Sequence, residues 1–152
     1  MCMMCNGATW DEVLFDMHAK IERYGWSIEY VMGDKKHRPW GYTVGLSDRF
    51  DHPELVLVGA GMKRTGTVIN SIATAISEGE PFRAGEVILG CKGEQYDLVD
   101  VHRDHFDNGT LNMWMNYYEA LGRMPQQRAI EIVPPGRRPR LDRKPFQGLG
   151  GD

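Results

Sequence analysis

The chain has 152 residues and a mass of 17.3 kDa, room for one hydrophobic core but hardly for two. Hydrophobic residues make up 41% and charged residues 26%, which excludes wholesale disorder. Lys and Arg number 18 against 21 Asp and Glu, a net charge of -3 that excludes a domain-wide basic surface for nucleic acid.

The first helix is predicted from a capping box at Thr9 and Glu12. Val13, Leu14, Met17, Ile21 and Tyr24 follow at helical spacing, and Gly25 stands where the helix should stop. Trp26-Ser27-Ile28-Glu29-Tyr30-Val31-Met32 and Trp40-Gly41-Tyr42-Thr43-Val44-Gly45-Leu46 read as strands of a hairpin, joined through the basic turn of Lys35, Lys36, His37 and Arg38. A polar stretch from Ser47 to Pro53 leads into Leu55-Val56-Leu57-Val58, a short apolar run suited to a central strand covered on both faces. Val68, Ile69, Ile72, Ala73 and Ile76 lie on one face of a helix predicted over Met62–Ser77, stopped by Gly79. Strands are predicted at Glu86-Val87-Ile88-Leu89 and Tyr96-Asp97-Leu98-Val99-Asp100-Val101, and a third helix between Thr110 and Leu121. Arg128-Ala129-Ile130-Glu131-Ile132-Val133 is the last strand, ended by Pro134-Pro135-Gly136.

Helices and strands do not alternate strictly. The expected fold is therefore α+β: one domain over residues 1–135, with an arm at 1–8 and a mostly antiparallel mixed sheet of five to six strands packed by two to three helices. Residues 136–152 form a basic tail rich in proline and glycine, carrying Arg137, Arg138, Arg140, Arg143 and Lys144. No apolar run approaches the ~20 residues of a membrane span. Cys2, Cys5 and Cys91 do not make an extracellular disulfide framework, so the sequence reads as a cytoplasmic protein with reduced thiols.

Cys2-x-x-Cys5-x-Gly7, Tyr24-Gly25-Trp26, Tyr42-Thr43-Val44-Gly45-Leu46 and His52-Pro53-Glu54-Leu55 resemble the bacterial and phage family called domain of unknown function 4262. The resemblance runs from Cys2 to about Val133 and implies a fold and a residue constellation, with no activity attached. Where that family tends to carry a Gln and then a Trp-Pro-Asp turn, this chain has Glu131 and Pro134-Pro135-Gly136.

Two thiols three residues apart can chelate one ion, with zinc favoured and Cu(I) also suited to the neighbouring methionines. Cys2 and Cys5 supply half a shell. Further ligands would come from His102 and His105, from His18 or from Cys91, and the site would be structural or regulatory. Inert packing of the arm accounts for the same pair, and a redox dithiol is a third reading. Tyr42, Thr43, His52 and Glu54 are candidate ligand-pocket residues at the mouths of strands. Asp48, His52 and Glu54 would make the acid/base group of a hydrolase if their side chains converge. Gly59-Ala60-Gly61 meets neither nucleotide fingerprint, though Lys63 and Arg64 at the helix start could hold an anion. The remaining expectation is a non-enzymatic protein-interaction domain, of an accessory or immunity type, that uses the turn ending at Arg38 or the tail beginning at Arg137.

Overall fold

Helical periodicity becomes buried surface along α1 (Trp10–Tyr24), where Val13, Met17 and Ile21 face the core. Tyr24, although it falls in the same series, is exposed beneath the Arg23 guanidinium. This is a computed structural model, and it describes residues 10–90 and 92–144. The Thr9 cap lies outside that range.

The six strands of the described residues are β1 (Ser27–Val31), β2 (Trp40–Val44), β3 (Glu54–Val58), β4 (Val87–Leu89), β5 (Gln95–Asp100) and β6 (Ala129–Val133). They form one sheet in the order β1-β2-β3-β6-β5-β4. Two antiparallel meanders, β1-β2-β3 and β4-β5-β6, meet at the parallel pair β3–β6, with Val56 opposite Glu131. The expected mostly antiparallel α+β fold is the one observed. β3 and β6 are the inner strands, and their continuous apolar runs are buried almost throughout because both faces are covered.

One face packs α1 and α5 (Asn112–Leu121) over Tyr42, Val44, Val56 and Ala129. On the other face, α3 (Met62–Ser77) sets Ile69, Ile72, Ala73 and Ile76 against Leu55, Leu57, Leu98, Ile130 and Ile132. Two further helices, α2 (Leu46–Arg49) and α4 (Asp104–Asp107), are single turns that apolar periodicity does not predict. Gly45, at φ +121, links β2 to α2. A side chain there would also meet Gly25 O at 2.8 Å, which explains the glycine of the Tyr-Thr-x-Gly-Leu run. No helix of the described residues is long and apolar enough to cross a membrane.

α3 carries the chain from β3 to β4 at the far edge, and β5 and β6 bring it back to the centre. The loops after β3 and β6 therefore emerge side by side at the point where the strand order reverses. In sheets with parallel strands, ligands sit at such a place.

Candidate functional site

Glu54 begins β3 and is fully buried. Its carboxylate accepts Thr43 Oγ1 at 2.7 Å, Ser47 Oγ at 2.8 Å, Trp114 Nε1 at 3.0 Å and the amides of Gly45, Leu46 and Ser47. Burial pushes the carboxyl up, and the hydrogen bonds from Thr43, Ser47 and Trp114 pull it down. Burial outweighs these bonds, so the carboxyl lies above its ordinary range. The arrangement anchors α2, whose first amides point at the carboxylate.

The other predicted pocket residues are equally enclosed. Thr43 Oγ1 also accepts the Leu55 amide at 2.9 Å, and the buried Tyr42 hydroxyl accepts the Met113 amide at 2.9 Å. Both ring nitrogens of His52 are engaged, Nδ1 2.8 Å from Pro53 O and Nε2 accepting the Phe82 amide at 2.9 Å. Asp48 pairs with Arg123. The Tyr118 hydroxyl is buried beside the Asp48 backbone but reaches no hydrogen-bond partner of good geometry among the described residues. No hydrogen bond among the described residues joins the side chains of Asp48, His52 and Glu54 to one another, so the bonded acid/base group a hydrolase would need is not formed there.

Of the metal candidates, Cys2, Cys5 and Cys91 lie outside the described residues. His102 Nδ1 accepts the Asp104 amide at 3.1 Å. His105 Nε2 is 2.9 Å from Arg143 O, and its Nδ1 is 3.3 Å from Thr110 Oγ1. His18 contacts the Tyr117 hydroxyl at 2.9 Å and Glu22 at 3.5 Å. Among the described residues, no group of three or more His, Cys, Asp or Glu is placed to hold a metal ion.

At the opposite end of the sheet, three features separate in sequence come together. The β1–β2 turn is braced by Asp34, whose carboxylate accepts the amides of Lys36 and His37; those bonds hold it below the ordinary range. Pro39 O accepts the Gly59 amide at 2.7 Å, which seats the turn on the loop after β3. Gly59 has φ +89, and a Cβ on it would stand 3.0 Å from Arg137 Nη1 and 3.5 Å from Arg38 Nη1. The turn, the glycine loop and the tail thus meet at one point, with a guanidinium nitrogen of each arginine over Gly59. Neither forms an ion pair among the described residues.

The loop is fixed from below. Ala60 O accepts the Tyr30 hydroxyl at 2.8 Å and the Thr65 hydroxyl at 3.4 Å. Gly61 is the N-cap of α3 and makes no side-chain cap, and the first turn carries Lys63 and Arg64 but no acid. Arg64 reaches the Tyr96 hydroxyl at 3.2 Å. Cations at the positive end of a helix dipole are locally unfavourable. An anion placed there would reverse that sign.

Fold and site together define a small α+β domain with a mixed sheet, an interior carboxylate anchor at one end and a cluster of basic side chains at the other. The family model for Domain of unknown function (DUF4262) matches residues 20–141, and the chain belongs to that family. The match takes in all six strands and begins after Cys2 and Cys5. No curated protein and no solved structure matches the chain significantly.

Proposed function

We propose that this domain binds a small phosphate-bearing ligand at the carboxyl ends of β3 and β6. The observation that carries the reading is the meeting of Arg38 and Arg137 over Gly59. Guanidinium forks match phosphate oxygens in pairs, and two exposed guanidiniums gathered at one point without a carboxylate partner attract an anion. The bare glycine loop and the uncapped, acid-free start of α3 support the same ligand. Titration calorimetry with inorganic phosphate at low salt tests it. Saturable binding to the wild type, weakened about threefold or more by Arg38→Ala and by Arg137→Ala, supports the reading. Equal heats from the wild type and the double variant contradict it.

A separate proposal rests on spacing: Cys2 and Cys5 hold zinc in a structural or regulatory role. Elemental analysis of anaerobically purified protein tests it. Stoichiometric zinc lost in the Cys2→Ser/Cys5→Ser variant supports the proposal, and equal trace metal in both removes it.

A further inference from the structure

Arg137 stands in a loop whose two ends are tied together. β6 stops at Val133, Gly136 turns the chain at φ +73, and the Arg137 amide donates to Pro134 O at 3.1 Å. The chain then comes back to β6. The Arg140 amide donates to both Glu131 oxygens, at 2.8 and 3.0 Å, and the Leu141 amide to Oε1 at 2.8 Å.

Glu131 is only 2% exposed, and β6 is an interior strand flanked by β3 and β5. A carboxylate there is costly to bury unless donors meet it. The donors it has belong to no helix or strand. They come from a strap that is held further along by burial of Leu141 in the α1/α5 cluster, by the His102 amide on Leu141 O at 2.7 Å, and by His105 on Arg143 O.

We infer that Glu131 is a positioning residue for the phosphate site: its carboxylate closes the loop that holds Arg137 over Gly59. This rests on the phosphate reading of Arg38 and Arg137. The strap is joined to that loop, so its docking and the preorganisation of one guanidinium are a single structural event. Opening the clasp frees the Arg137 loop, which must then be ordered when the ligand binds.

Electrostatics and positioning predict opposite signs, which makes the test decisive. Glu131→Ala removes a carboxylate from the domain, so the field alone predicts phosphate binding that is unchanged or tighter. Loss of the clasp predicts weaker binding. With inorganic phosphate as probe and the full chain, Glu131→Ala raises the Kd about threefold or more, and Glu131→Ala/Arg137→Ala binds no more weakly than Arg137→Ala alone. Arg38→Ala adds its own loss to that of Glu131→Ala. Glu131→Gln keeps an acceptor oxygen and binds more tightly than Glu131→Ala.

Leu141→Asn, which leaves the Glu131 side chain in place, reproduces the Glu131→Ala loss by releasing the strap, and urea unfolding of both variants shows that each is folded under the titration conditions. Undiminished affinity in Glu131→Ala and Leu141→Asn, with a wild type that binds, overturns this inference alone. A wild type that does not bind phosphate overturns the phosphate reading and the inference with it.

Discussion

Trp114 Nε1 donates to Glu54 Oε2 at 3.0 Å, joining α5 to the first residue of β3 through a wholly buried bond. The same carboxylate gathers Thr43 and the start of α2, so three elements depend on one side chain. Glu54→Gln retains one acceptor oxygen and turns an amide NH2 toward existing donors. The expected loss of stability is about 3 kcal/mol. Thr43→Val removes one donor to Glu54 and the acceptor for Leu55, at a cost of about 1–2 kcal/mol. Urea unfolding with unchanged m-values checks both. A loss below about 0.5 kcal/mol for Glu54→Gln, the range of ordinary surface changes, would contradict the anchor.

Gly59 is where conformation and chemistry coincide. Gly59→Ala places a Cβ at positive φ and against the Arg137 guanidinium. It should lower stability by about 1–2 kcal/mol and weaken phosphate binding as well. Gly79, at φ +101 with open space around it, is the control. Gly79→Ala should carry a similar backbone strain and leave phosphate affinity unchanged. Equal phosphate affinity in the two variants would separate Gly59 from the site.

The docking of the strap should depend on pH through His105. Burial holds its imidazole below the ordinary value of 6.5, and the nearby His102 acts in the same direction. Between the depressed native value and 6.5 the unfolded chain binds more protons, so stability falls as pH drops through about 6.5. The buried carboxyls of Glu29, Glu54 and Glu131, raised by desolvation, act in the opposite sense on the acid side. Comparison with His105→Gln isolates the histidine. Wild type should lose more stability than this variant between pH 7.5 and 5.5, measured by urea unfolding, and an equal loss would remove His105 from the account.

Much of the fold is legible in the sequence because its cause is local. Val68, Ile69, Ile72, Ala73 and Ile76 announce α3 to its ends, and alternation with turn residues announces the β1–β2 hairpin. The helices α2 and α4 escape such a reading because four residues hold no period. The first turn of α2 forms because Glu54, several residues further on, accepts its amides.

The site divides in the same way. Arg38, the Gly59 loop and Arg137 each stand out in the sequence as a basic turn, a glycine run and a tail. Their meeting depends on parallel pairing of β3 with β6, and β6 is the last strand of the described residues. By contrast, Tyr42, Thr43, His52 and Glu54 have the residue types of a pocket, but their partners are interior amides and side chains. A one-dimensional pattern shows polar chemistry near strand ends; it does not show which end faces solvent.

The most direct measurement is an amide-resolved NMR titration with inorganic phosphate. Saturable shifts confined to Arg38, Gly59, Ala60, Gly61, Lys63, Arg64 and Arg137, with Gly45, Leu46, Ser47 and Asp48 at the other end of the sheet unmoved, are what the account predicts. Shifts centred on the Gly45 to Asp48 segment, or none at all at millimolar phosphate, would contradict it.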